Sequence, residues 1–376
     1  MKVIAWYLPQ FHVIPENDKW WGKGFTEWVN VKKAVPLDKD HNQPRVPLNN
    51  NYYNLLDDDV KMWQVNLAKR YGIYGFCIHH YWFDGKLLLE KPLEQYLANK
   101  TLDLPFCICW ANEHWTNQWA SSSEKILIEQ RYGKDKEWKQ HFDYLLPFFN
   151  DSRYIKENGK PLFVIYRPEL IECLNDMIDY WQELAIESGL PGIVFAYQGF
   201  KWDYVKNKDD SRFTYDIEYQ PTLYWNEARQ KTLAVRIQDC LPAWLMKMFA
   251  KPLNCIKGVI ANHETVTEHV QDYDELWEKV LSHEPANDKC IPGVFVDWDN
   301  TPRKGERGIY LKGVSPIKFQ KYFERTLEKA KKIYKKDYVF VFSWNEWAEG
   351  GYLEPDEKNG YGYLEAIKCA LERYGE

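Results

Sequence analysis

Eight short apolar runs rich in Val, Ile, Phe and Tyr recur along the chain, and most of the stretches between them carry helical periodicity. That alternation constrains the fold more than any other feature. The runs cover residues 3–8, 74–78, 105–109, 160–166, 192–197, 215–220, 292–297 and 338–342. Continuous apolar runs of this length predict strands buried on both faces, as in a parallel sheet covered by helices. The intervening patterns predict helices over 57–71, 87–98, 136–149, 174–188, 273–282, 316–335 and 360–374, with Asp57, Asp58 and Asp59 marking the start of the first.

This order predicts an α/β fold, a (β/α)8 TIM barrel with long loops at its C-terminal face, and one barrel domain over residues 1–376. A doubly wound open sheet is the alternative. It would place a glycine-rich phosphate loop after the first strand, where the chain reads Leu8-Pro-Gln-Phe-His12 instead. Residues 9–56, studded with Trp20, Trp21 and Trp28, read as a long structureless loop of the kind that carries function. Residues 224–263 follow no clean period and read as an insertion among the barrel loops.

In a parallel barrel the residues just past each strand converge on one rim, and that rim carries the chemistry. Here they include Gln10 and His12, His79 and His80, Asn112 and Glu113, Arg167, Gln198, Asp297, and finally Asn345, Glu346 and Glu349. Tyr7 and Tyr166 stand at strand ends, and Trp28, Tyr81, Trp82, Trp110, Trp344 and Trp347 are aromatic neighbours of these polar groups. His79 and His80 are adjacent, so on a strand at most one of them enters the pocket, and His80 is the candidate substrate contact.

Glu346 and Glu349 follow the most apolar run and lie three positions apart beside Trp344 and Trp347. Cleaving or transferring a glycosidic bond needs one carboxyl that keeps its proton and one that is ionised. Two nearby acids repel as anions, so one of them holds its proton more tightly, and the pair can fill both roles. Glu346 and Glu349 are therefore the candidate catalytic acids. Glu113, also behind a strand and between tryptophans, is the second choice as partner for Glu346. Asn345 is a candidate donor to a sugar hydroxyl or a neighbouring carboxylate, and Asp297 either binds hydroxyls or caps a turn.

Composition supports a sugar-handling cleft. The chain has 18 Trp, 26 Tyr and 18 Phe, 16% of its residues, more than a core requires, so many rings are expected to line a groove. Tyr81, Trp82, Trp110 and Trp115 are candidate sugar platforms. A net charge of -6 and a pI near 5.9 exclude a nucleic-acid or anionic-membrane surface. No apolar stretch approaches ~18 residues, so no integral membrane segment is expected, and without a signal-peptide pattern the expected location is cytoplasmic. Eight cysteines without a CxxC spacing read as buried free thiols of a reducing compartment. No HExxH or clustered acid pattern appears, so neither a metal nor another cofactor is expected.

Five segments carry a family resemblance: Trp6-Tyr-Leu-Pro-Gln-Phe-His12, Trp20-Trp-Gly-Lys-Gly-Phe-Thr-Glu-Trp28, Tyr71-Gly-Ile-Tyr-Gly-Phe76, Cys109-Trp-Ala-Asn-Glu-His-Trp115 and Ser343-Trp-Asn-Glu-Trp-Ala-Glu-Gly350. Together they resemble the WbsX-type family, described both as polysaccharide-biosynthesis glycosyltransferases and as similar to the endo-α-mannosidases of glycoside hydrolase family 99. The WbsX likeness runs over nearly the whole chain. The likeness to the endomannosidases rests mainly on the last segment.

That second resemblance implies a retaining reaction on a (β/α)8 barrel, with both acids drawn from a Glu-Trp-His-Glu segment. By matching position it implies Glu346 as the base toward the sugar's own 2-hydroxyl and Glu349 as general acid and base. The chain departs from the pattern at Ala348, where the hydrolases carry His. The leading expectation is a carbohydrate-active enzyme acting on a bacterial surface oligosaccharide or polysaccharide. The alternatives are a nucleotide-sugar-dependent glycosyltransferase of O-antigen or capsule biosynthesis and a non-catalytic glycan-binding barrel.

Overall fold

The computed structural model describes residues 1–117, 125–200, 208–230 and 269–375. Nine parallel strands form one path: β1 (Lys2–Tyr7), β2 (Ile73–Phe83), β3 (Phe106–Trp110), β4 (Lys160–Ile165), β5 (Val194–Gly199), β6 (Tyr215–Glu218), β7 (Cys290–Ile291), β8 (Gly293–Phe295) and β9 (Tyr338–Phe342). Their order in the sheet is β7-β6-β5-β4-β3-β2-β1-β9-β8. The two ends of that path, β7 and β8, are separated in sequence by Pro292 alone. Residues 290–295 thus pair with β6 through Cys290 and Ile291 and with β9 through Gly293 to Phe295, which brings the sheet round into a barrel. The seventh run is one strand broken in two because proline cannot donate to the ladder.

Outside the sheet lie α1 (Pro15–Trp21), α2 (Glu27–Lys33), α3 (Asp58–Arg70), α4 (Lys91–Ala98), α5 (Asp135–Phe149), α6 (Leu174–Glu187), α7 (Thr222–Gln230), α8 (Tyr273–Ser282), α9 (Thr301–Lys304), α10 (Pro316–Lys329) and α11 (Gly362–Gly375). Their starts are written in the sequence. Asp57 accepts from the Asp59 N–H, Asp272 from that of Glu275, and Ser315 from that of Lys318, each covering an amide the helix cannot satisfy itself.

Two expectations change. Residues 9–56 are not structureless, since they carry α1 and α2. The helix expected over 87–98 begins later, because Lys86–Leu88 folds back antiparallel on the far end of β2. The expected insertion over 224–263 is described only to residue 230, where α7 ends; its remainder lies outside the described residues.

Strand alternation sorts the rings into two layers. Trp6 looks inward, its ring 5.3 Å from Phe340, 5.8 Å from His79 and 5.9 Å from Tyr219. Tyr7 looks outward: its ring lies 5.0 Å from Phe76, which lies 5.0 Å from Trp344, and its hydroxyl donates to Gln64 on α3.

Candidate active site

β9 delivers the chain at the C-terminal end of the barrel, and residues 343–352 form a tight double-back there. Ser343 Oγ accepts from the Glu346 N–H at 2.8 Å and donates to the Gly351 carbonyl at 2.6 Å. Asn345 and Glu346 pair antiparallel with Tyr352 and Gly351, and Trp347 to Glu349 make a single 3-10 turn. Gly350 has φ +72°, and a Cβ there would meet Asp299 and Arg45 at 2.9–3.1 Å, so only glycine closes this turn.

Both candidate acids face one cation. Arg303, on α9, donates from Nη2 to Glu346 at 3.1 Å and from Nη1 to Glu349 at 2.8 Å. Its Nε and Nη2 also reach Glu27, the first residue of α2, at 3.2 and 3.1 Å. The Arg303 side chain is only 4% exposed, and those of Glu346, Glu349 and Glu27 are 4, 13 and 12%. Burial pulls the guanidinium toward losing its proton, but Glu27, Glu346 and Glu349 more than offset that and hold it charged. Burial pushes Glu346 up to about 8, Glu349 and Glu27 add to the rise, and Arg303 opposes it. Two buried acids on one cation thus favour a retained proton over two anions.

Tyrosines close over the acids. Tyr81 and Tyr219 lie within electrostatic reach of Glu346, and Tyr166 and Tyr219 of Glu349; burial holds all three phenols well above their ordinary value. Gln10 donates to the Tyr81 hydroxyl at 2.8 Å. Gln198, 1% exposed and at an inward position of β5, has neither amide atom hydrogen-bonded. His79 faces the same interior, 6.4 Å from the Tyr166 ring, and burial lowers it to about 4. A surface depression of about 420 Å³, lined in part by Lys2, Tyr215 and Tyr338, lies at the strand N-termini, the opposite end from the acids.

The structure separates the other expected contacts. Gln10, Tyr81, Tyr166, Gln198 and Glu113 stay with the acids at the strand ends. Asn345 does not face a substrate: its Oδ1 accepts from the Leu8 N–H and its Nδ2 donates to the Leu8 carbonyl, stapling β9 to β1. Asn112 does the same from β3 to the Arg167 backbone. Asp297 is a turn anchor, accepting from the Trp298 N–H and from Arg45.

The rest go into packing. Trp344 is fully buried, and Trp347 stacks 3.8 Å from Tyr352 and donates to Glu354. Trp28 packs 5.5 Å from Trp347 and donates to the Tyr53 carbonyl. His80 takes the outward turn of its pair, bonded to His141 on α5, while Trp82 stacks on His141 and Trp110 donates to the Trp82 carbonyl. Burial lowers the buried His12 to about 4, with Lys61 of α3 adding to the fall. These residues alternate outward or sit behind the rim, so they are not sugar platforms. Tyr7 belongs with them.

Sequence reading missed Arg303, Glu27 and Tyr219. It also missed the layer under the acid turn, in which Asp299 accepts from His41, Gln43 and Thr301 while its own N–H donates to the Glu349 carbonyl at 2.7 Å. The available signal was Thr301-Pro-Arg303 directly behind a strand end, a proline-started helical turn carrying a cation into the rim.

A closed parallel barrel with two buried carboxyls on one guanidinium at the strand C-terminal end is the build of a carbohydrate-active enzyme. Comparison with known proteins makes this specific. The chain belongs to the glycosyltransferase WbsX family, whose model matches residues 3–367. It is 34% identical over 375 residues to the uncharacterized protein WxcX of two strains of Xanthomonas campestris pv. campestris, covering 99% of this chain and 50% of the relative. The chain thus spans about half the length of the curated relatives it matches.

Among solved structures it is similar to the GH99 endo-alpha-mannosidase of Bacteroides thetaiotaomicron, with 12% identity, TM-score 0.55, and 99% and 97% of the two chains covered. It is also similar to a glycoside hydrolase-like protein, with 12% identity, TM-score 0.56, and 98% and 93% covered. At these identities the likeness shows the fold. Among the described residues no helix is long and apolar enough to cross a membrane. Of the six described cysteines, Cys77, Cys107, Cys109 and Cys290 are buried, Cys173 is half-buried and Cys369 is exposed.

Proposed function

We propose that the chain breaks or transfers a glycosidic bond of a bacterial surface polysaccharide with retention of configuration, using Glu346 and Glu349. The observation that carries this reading is that both acids, buried at the strand ends, grip one guanidinium. A shared guanidinium keeps the pair close, which suits a retaining reaction better than an inverting one, whose carboxyls stand ~6.5–9.5 Å apart with a water between.

In the first step Glu346, ionised, takes the proton of the sugar's 2-hydroxyl, and that oxygen attacks C1. The bond from C1 to the leaving oxygen breaks as Glu349 gives that oxygen a proton. In the second step Glu349 takes a proton from water or an acceptor hydroxyl, whose oxygen bonds to C1. The three-membered ring opens, and Glu346 returns its proton to O2. Two displacements at C1 restore the starting configuration.

The free site raises the proton affinity of Glu346, and the first step runs from the form of the pair in which Glu346 is ionised. A carboxyl with raised proton affinity is the stronger base once ionised, which is what removal of a hydroxyl proton demands.

Hydrolysis and transfer differ here only in the acceptor. A nucleotide-sugar-dependent transferase is the second reading, favoured by the family's description. Incubation with α-mannan fragments and lipid-linked polysaccharide precursors, with products read by mass and the anomeric proton by NMR, separates them. Product of unchanged anomeric configuration from a glycan alone supports the first reading. Product that forms only with a nucleotide sugar, together with calorimetric heat from that donor, replaces it with the second.

A further inference from the structure

We infer that Glu27 is a positioning residue of the site: through Arg303 it sets how tightly Glu346 holds its proton. This rests on the reading of Glu346 as a reacting acid. Three carboxylates drawn from α2 and the acid turn meet one guanidinium from α9, with partners 276, 43 and 46 residues away along the chain. Asn30 of α2 adds a contact to Glu27 Oε2 at 3.4 Å. With every group ionised the cluster would carry two uncompensated negative charges in a site nearly closed to water, so one acid retains a proton.

Glu27 occupies the Nε/Nη2 side of the fork, and Glu346 draws on the same Nη2. Glu27 therefore takes part of the positive charge that would otherwise ionise Glu346, and its own charge repels the Glu346 anion. Among the described residues, the titratable and charged groups facing Glu346 are Arg303 from α9, Glu349 from its own turn, Glu27 from α2, Tyr81 from β2 and Tyr219 from behind β6. Both phenols stay neutral across the working pH range, so Arg303 and the two other carboxylates govern Glu346.

The fold keeps Glu27 in place. Its helix packs on the acid turn through Trp28 and Trp347. Trp28 also donates to the Tyr53 carbonyl, which fixes the start of the helix that carries Glu27.

The test needs no substrate. Infrared difference spectra of the free enzyme follow the protonated carboxyl band, assigned to Glu346 by its loss in Glu346→Gln. Glu27→Gln, of the same shape, removes a negative charge while its amide oxygen still accepts from the guanidinium, so the Glu346 midpoint falls by about one pH unit or more. Arg303→Lys keeps the charge but cannot fork to three acids, and the midpoint rises. Glu16→Gln, whose carboxylate pairs with Lys86 outside the site, leaves it unmoved.

Opposite shifts in the two site variants support the inference, because general loosening would move both the same way. An unmoved midpoint in Glu27→Gln, or shifts of one sign, overturns it. Should Glu27→Gln fail to fold, as read by circular dichroism, the Arg303→Lys midpoint decides: a fall or no change overturns the inference. Turnover plays no part, so loss of the proposed function would leave this result standing, and the reverse.

Discussion

An Asn-Glu pair stands just past β3, Asn112-Glu113, and another just past β9, Asn345-Glu346, and the two part ways at the glutamate. In both, the asparagine uses both ends of its amide to staple its strand end to backbone next door, Arg167 in one case and Leu8 in the other. The glutamates that follow meet different surroundings. Glu113 has a side chain 41% exposed and pairs with Arg167 at 2.8 Å, whereas Glu346 is sealed against Arg303 with two more carboxylates competing for that cation. The Asn-Glu pair places a carboxyl at the rim in both cases; what packs over it decides how deeply that carboxyl is buried.

The largest effect that would sharpen the contrast comes from the cation. Arg303→Met leaves Glu27, Glu346 and Glu349 buried without their counter-charge, and breaking such a set costs about 3–5 kcal/mol. The expected outcome is a large fall in melting temperature and no turnover. Glu113→Gln, which removes only the exposed partner of Arg167, costs under about 1 kcal/mol. Equal losses in denaturant titrations of the two variants would break the comparison.

The staples come next. Asn345→Ala and Asn112→Ala each strand a backbone N–H and carbonyl, at about 1–3 kcal/mol per buried unpaired group. Comparable destabilisation by urea titration is expected from both, with turnover falling further in Asn345→Ala because its staple carries the acid turn. A stable Asn345→Ala would show the staple to be dispensable.

A smaller effect is the pH dependence of stability. Glu346 in the fold is raised to about 8, above the ordinary carboxylate value, so the folded state binds more protons than the unfolded one between them. Its contribution is fully present below pH ~4.3 and is lost as the pH rises through about 8. Burial raises Glu354 and Glu218 to about 7, and they act in the same direction. The melting temperature should decline from pH 5 to pH 9, less steeply in Glu346→Gln, and as in the wild type in Glu113→Gln. A Glu346→Gln slope equal to the wild type would remove the distinction between the two acids. The smallest effect is on turnover: Glu113→Gln is expected to cost less than about tenfold in kcat/KM, and a far larger loss would return Glu113 to the acid pair.

Much of the barrel was legible because it rests on local signals. Residues 338–342 and 273–282 form the expected strand and helix to the residue, and the remaining barrel strands fall within a few residues of their apolar runs, β2 extending furthest beyond its own. Glu346 and Glu349 were legible because a strand end in a parallel barrel points to the rim. What was not legible depends on parity or on distance. His79 and His80 differ by one position, and only the register of β2 shows that the second faces α5 rather than the interior. The rings of Trp344 and Trp347, next to the acids in sequence, are taken up by packing that only the folded turn shows: Trp344 is fully buried and Trp347 stacks on Tyr352. Arg303 and Glu27 sit on separate short helices, and nothing local ties them to an acid turn 43 and 319 residues further on.

The most direct measurement is the turnover of Glu346→Gln and Glu349→Gln on a glycan that the wild type converts, with melting curves taken alongside. Both variants should stay folded and form no product. A folded variant of either kind that converts the glycan at the wild-type rate would contradict the assignment of the two acids.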